Sequence, residues 1–147
     1  MEEAKTNSTE PVYTLGVSAR LSDTPAHSVR MYVDKNLLIP YKKKTNRHLF
    51  SKIDVVRLQC IRHLIDEQGL NIAGIKALFS MVPCWRIKNC PEEERKNCGA
   101  YYSNSQTCWE ASEKGNSCKN EDCRVCSVYK LTEECADMKS LIRKLLP

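Results

Sequence analysis

Apolar residues recur at helical spacing through roughly the first eighty positions, and the period then disappears. Thr14, a good capping residue, precedes Leu15, Val17 and Leu21 and predicts a short helix. The polar turn Ser22-Asp23-Thr24 ends it, and Pro25 suits the first turn of a second helix running through Val29, Tyr32 and Val33 to about Lys35. Ile39 to Leu49 alternates loosely and sets three lysines and an arginine near a hairpin tip. Ser51 with Asp54 reads as a capping box, followed by a stripe of Ile53, Val56, Cys60 and Leu64 that stops at Gly69. Asn71 caps a further helix with Ile72, Ile75, Phe79 and Val82 on one face.

Two short helices around a tight turn form a helix-turn-helix, and the basic hairpin after them is a wing. Pro83 marks a seam, because proline cannot continue a helix interior. Eight cysteines follow it with little periodicity between them. The expected fold is mainly α: a disordered lead-in over 1–11, a winged helix-turn-helix over 12–82, a cysteine-rich module over 83–130 and a C-terminal helix over 131–147. No long linker separates the modules, so they are expected to pack together. In the last helix Thr132 is the expected cap, with Glu133 and Glu134 in the first turn and Lys139, Arg143 and Lys144 toward the end. Leu131, Cys135, Met138, Ile142 and Leu145 form a narrow apolar stripe, which either pairs two copies or folds back on the cysteine module.

Composition narrows the class. Charged residues are 28% of the chain, and no apolar run approaches the ~20 residues of a spanning helix, so no membrane partner is expected. Residues 1–10 lack the basic-then-apolar layout of a signal peptide, which places the chain in the cytoplasm. In a reducing compartment cysteines more often bind metal or sense redox state than staple a scaffold. The net charge of +5 is unevenly spread. Between Pro11 and Ile65 ten basic residues face three acidic ones, whereas from Pro83 onward eleven face ten. A positive field on a helix-turn-helix points to a polyanion, and double-stranded DNA fits best.

Several separated motifs, in order, carry a family resemblance. The text YTLGVSARLSDTPAHSVRMYVDKNLLIP, then NRHLFSKIDVVRLQCIRHLIDEQGLNIAGIKALF, resembles the MerR family of winged-helix regulators, and within it the HspR-like branch. The arginine-x-tyrosine of the second helix appears as Arg30-Met31-Tyr32, the wing arginine and aromatic as Arg47 and Phe50, and the start of the fourth helix as Gly69-Leu70-Asn71. Asp23 and Asn36 stand where the family often has glycine, and Tyr41-Lys42-Lys43 replaces the usual arginine after the wing proline. The resemblance implies promoter binding as a homodimer, with RNA polymerase as a further partner. His27 and Ser28 are then expected at base edges, Arg30 and Tyr32 at bases or phosphates, and Lys42, Lys43, Lys44 and Arg47 at phosphates. A solvated lysine loop and a core tyrosine are the plainer readings of Lys42–Lys44 and Tyr32.

The cysteine-rich stretch, with its pairs Cys84-Trp85 and Cys108-Trp109, resembles a small bacterial module defined by two Cys-Trp pairs. Its candidate metal ligands are Cys84, Cys90, Cys98, Cys108, Cys118, Cys123 and Cys126. No histidine follows His63, so a site there is all-sulfur: an iron–sulfur cluster or structural zinc, with reversible disulfides as the alternative. The spacing Cys118-x4-Cys123-x2-Cys126 is that of plant-type ferredoxins. Trp85 and Trp109 are expected as core anchors, and Cys60 and Cys135 as packing residues. The functional expectation is a transcription regulator, not an enzyme, whose cysteine module reports metal, redox or oxygen status. The alternatives are a DNA-binding protein whose metal is only a staple, and a thiol–disulfide redox protein using Cys123 and Cys126.

Overall fold

The computed structural model describes residues 8–120, 122–130 and 137–145. The expected lead-in lies outside the described residues over its first seven positions. So do Leu131, Thr132, Glu133, Glu134 and Cys135 of the expected last helix.

The first half is built as its caps predict. Helix α1 (Leu15–Leu21) starts where Thr14 Oγ1 accepts from the Val17 amide. Its buried face is Ser18 and Ala19, with Leu15 beside them, while Leu21 is 48% exposed. The expected Leu15–Val17–Leu21 face is therefore rotated, because small residues let α1 approach its neighbours closely. Asp23 turns the chain at a φ of 54°, and helix α2 (Ala26–Asp34) follows with Pro25 as its N-cap. Asn36, at φ 63°, closes α2, and the Leu37 amide bonds back to Tyr32 O at 2.9 Å. That is a Schellman ending, with asparagine supplying the left-handed residue.

Strands β1 (Tyr41–Lys42) and β2 (His48–Leu49) pair antiparallel, Tyr41 opposite Leu49 and Lys42 opposite His48. Asn46, at φ 66°, completes the tip, which puts Lys44 and Thr45 outermost. Tyr13 bridges Phe50 as a third rung. Helix α3 (Lys52–Asp66) begins with a complete Ser51–Asp54 capping box and ends before Gly69, at φ 71°. Helix α4 (Ile72–Ser80) starts from the Asn71 cap.

Leu58, Ile61 and Leu64 of α3 join Val29, Tyr32, Leu37, Leu38, Phe50, Ile75 and Phe79 in the main core. Each such aliphatic side chain contributes about 1.5–3 kcal/mol by leaving water. The expected stripe through Ile53 and Val56 is shifted: both are half-buried, and Asp54, Val55 and Arg57 are buried instead. The cause is a second covering layer, since the cysteine-rich stretch packs on the Asp54–Arg57 face. Cys60 is buried at 8% exposure as expected, but it is disulfide-bonded rather than a simple packing residue.

Beyond Pro83 the chain forms one-turn pieces: helices α5 (Cys84–Ile87), α6 (Glu92–Arg95), α7 (Gly99–Tyr102) and α8 (Asn116–Lys119), with 3-10 turns at Cys108–Glu110 and Cys123–Val125. Glu94 organises the middle, accepting from the Ser117 amide and hydroxyl at 3.0 and 2.7 Å. Helix α9 (Met138–Leu145) has Asp137 accepting from the Ser140 amide. Met138 and Leu141 are buried with Val82 and Val128, and Ile142 and Leu145 pack on that cluster. The described part of the last helix thus folds back on its own chain.

Candidate nucleic-acid interface and thiol cavity

Helix α2 presents His27 and Arg30 to solvent, with Ser28 half-buried beside them. The hairpin holds Lys42, Lys43, Lys44 and Arg47 exposed. Arg30, Lys43 and Arg47 line one cleft between α1, α2 and the hairpin, together with Thr14, Asn46 and His48. Asp34 is a single acidic residue on the same wall. His27, Ser28, Lys42 and Lys44 lie outside this cleft. Tyr32 departs from the expected set: at 3% exposure it sits in the core, because α2 must bury one face and Val29 and Tyr32 are on it. Arg57 likewise leaves the positive surface, at 3% exposure. Asn46 and His48 were missed by sequence reading, although their place in the hairpin is the signal that would find them.

All seven candidate ligands, Cys84, Cys90, Cys98, Cys108, Cys118, Cys123 and Cys126, line one partly enclosed cavity of about 30 Å³ and are free thiols. Trp85, Tyr101 and Val128 complete much of the wall. Burial pushes Cys84 up to about 11 and Cys108 up to about 12, and the neighbouring sulfurs add to it. Burial also raises Cys118, against the pull of Lys88. Lys114 Nζ lies 3.7 Å from Cys123 Sγ. As they stand, no three Cys, His, Asp or Glu side chains among the described residues converge closely enough to hold one metal ion. The donor set is soft and all-sulfur, and it surrounds a space rather than a point.

Side chains next to these thiols grip the helix-turn-helix. Trp109 Nε1 donates to Asn36 O at 2.7 Å, at the end of α2. Glu110 accepts from Lys76 at 2.8 Å and from Asn36 Nδ2 at 3.2 Å. Burial alone would raise the Glu110 carboxyl, but Lys76, Thr107 and Asn36 hold it below its ordinary value. Arg124 donates to Thr9 O and lies over the Tyr41 ring, 5.4 Å from its centroid. The Arg57 guanidinium sits among three rings, 4.3 Å from Tyr129, 4.9 Å from Phe79 and 5.1 Å from Trp109. Its Nη2 donates to Tyr129 O. Burial lowers the Arg57 pKa, offset by Tyr129 and Asp54. Trp109 is thus the expected anchor, edge-on to Tyr129, and Trp85 stands edge-on to Tyr101. Sequence reading missed Arg57, Glu110, Arg124 and Tyr129, whose contacts are all long-range.

Residues 13–82 match the model of the MerR HTH family regulatory proteins. The HTH-type transcriptional regulators GlnR of Bacillus anthracis and Bacillus cereus are 42% identical over 71 residues, 48% of this chain and 54% of theirs. HspR of Streptomyces coelicolor is 30% identical over 71 residues, 48% of this chain and 47% of its own. The chain spans about half the length of the curated relatives it matches. No helix among the described residues is long and apolar enough to cross a membrane. Fold, cleft and these likenesses agree: the chain carries, in residues 13–82, a helix-turn-helix domain of the MerR family.

Proposed function

We propose that the chain is a sequence-specific DNA-binding regulator of transcription. The observation that carries this reading is the convergence of Arg30 from α2 with Lys43 and Arg47 from the hairpin on one cleft. In this reading α2 enters the major groove with His27, Ser28 and Arg30 toward base edges. Lys42, Lys43, Lys44 and Arg47 neutralise phosphates, fix the register and make affinity steeply salt-dependent. The partner is promoter DNA in the cytoplasm, bound by a homodimer, with RNA polymerase next to it. Since Met138, Leu141, Ile142 and Leu145 already pack within the chain, the dimer uses another surface.

Selection of duplexes from a random library by the full chain tests the proposal. A recovered consensus, lost in Arg30→Ala with unchanged helical content, supports it. Equal affinity for every duplex overturns sequence specificity.

The cysteine module completes the reading as a sensor of metal, redox or oxygen status, through an iron–sulfur cluster or zinc. What supports this is the seating of Trp109, Glu110 and Arg124, each adjacent in sequence to a cavity cysteine or one residue further, on Asn36, Lys76 and Tyr41. A change at the cavity then biases the end of α2 and the base of the wing. It alters DNA affinity only as far as the two states of the cavity favour different DNA-binding geometries. DNA affinity that is identical with and without the metal would make the module a staple instead.

A further inference from the structure

We propose that the seven-thiol cavity holds an iron–sulfur cluster ligated by Cys108, Cys118, Cys123 and Cys126. This deepens the sensor reading and depends on it only for the cluster's use; the site itself is judged by its iron and sulfide.

The shape of the site comes first. A cavity of about 30 Å³ takes a compact inorganic group and excludes an organic cofactor. A lone tetrahedral zinc, with bonds of about 2.3 Å, draws four sulfurs to within about 3.8 Å of each other. No such convergence exists here among the described residues. A cluster brings inorganic sulfide to the centre and leaves its thiolates spaced around it, as these thiols are.

The ligands follow from position. Cys118, in α8, lines the cavity together with Cys123 and Cys126, five and eight residues further along the chain. Cys108, half-buried at the start of its 3-10 turn, lines the same cavity. Cys123 and Cys126 close one 3-10 turn, where the Cys126 amide bonds Cys123 O at 3.2 Å. Cys90 points its thiol at Pro91 O and Glu94 Oε2, and a carboxylate beside a sulfur opposes the thiolate a metal needs. That removes Cys90 from the set, along with the tetrad it would form with Cys84, Cys98 and Cys118. Lys114 and Lys88 stand near Cys123 and Cys118, where cations offset the negative charge of an iron–thiolate cluster. On assembly of a two-iron, two-sulfide cluster from ferric iron and inorganic sulfide, four thiols each release one proton and form one sulfur–iron bond, and neither iron nor cysteine changes oxidation state.

The test is anaerobic reconstitution of the full chain with ferric iron and sulfide, followed by analysis of iron, acid-labile sulfide, zinc and visible absorption. Expected are equal amounts of iron and sulfide with broad visible absorption. Cys108→Ser, Cys118→Ser, Cys123→Ser and Cys126→Ser should each lose most of it, and Cys90→Ser should keep it. A colourless wild-type chain that retains zinc and no sulfide overturns the cluster. Cys90→Ser losing the cluster as fully as Cys118→Ser overturns the ligand set. Duplex binding is measured on the same samples: a chain with its cluster and no DNA selectivity supports this site while refuting the DNA reading, and the reverse result refutes this site alone.

Discussion

Tyr129 and Asp54 are 75 residues apart in the chain, and the tyrosine hydroxyl donates to Asp54 Oδ1 at 2.5 Å. The same hydroxyl accepts from the Ile39 amide at 3.0 Å. One phenol from the cysteine-rich stretch therefore ties the start of α3 to the strand leading into the wing. Tyr129→Phe leaves a buried acceptor and a half-buried amide without this partner. We expect a loss of about 1–3 kcal/mol by urea unfolding, with the slope on urea unchanged. A variant as stable as the wild type would show the bond to be incidental.

Asp54 gives that junction a pH dependence. Burial raises its pKa above the ordinary 3.8, while hydrogen bonds from Ser51 and Tyr129 and the charge of Arg57 pull the other way. The folded chain thus holds this proton more tightly than the unfolded one. The stabilisation from Asp54 is full below 3.8 and is lost as pH rises through the raised folded value. Melting of wild type and Asp54→Asn across mildly acidic pH should show the wild type losing ground as pH rises. A gap that moves the opposite way would mean that the hydrogen bonds win over burial.

Arg57 is expected to separate charge from bulk. Arg57→Ala removes a buried cation from three rings and from the neighbourhood of Asp54, at a cost of about 3–5 kcal/mol. Arg57→Met keeps an apolar stem in the cage and should cost clearly less. Equal losses in thermal melts would assign the whole effect to cavity formation.

On DNA, Lys43 and Arg30 should behave differently although they share a cleft. Lys43→Ala should weaken binding to all sequences and lower the salt slope by about one unit. Arg30→Ala should cost about 1–3 kcal/mol on the selected sequence and little on others. Fluorescence anisotropy over a salt series distinguishes them, and matching profiles would place both at phosphates.

The capped elements were legible because their signals are local. Thr14, Ser51 and Asn71 each cap the helix expected of them, and Asn36 takes the left-handed turn that a glycine would otherwise supply. The helix faces were less legible. Asp54 reads as half of a capping box and Arg57 as one of ten basic residues, and nothing nearby in sequence announces that Trp109 and Tyr129 cover them. Tyr32 looked equally suited to core and to DNA, and only three-dimensional packing decides that. In the cysteine stretch the residue types were informative and the arrangement was not. Spacing singled out Cys118, Cys123 and Cys126, whereas the gathering of all seven thiols around one space depends on long loops with no period to read.

The hydrogen bond from Trp109 to Asn36 O bears on how this chain can be divided. Residues 13–82 look portable, yet their last turn of α2, Lys76 and the Arg57 cage are finished by residues 107–110 and 124–129. An excised N-terminal half would hand the Asn36 carbonyl to water, expose a ring face and leave the Arg57 guanidinium with the Phe79 ring but without those of Trp109 and Tyr129. Chimeras that graft this reading head onto another effector therefore need to carry the Trp109 and Tyr129 segments with it, or to replace Arg57 at the cut surface.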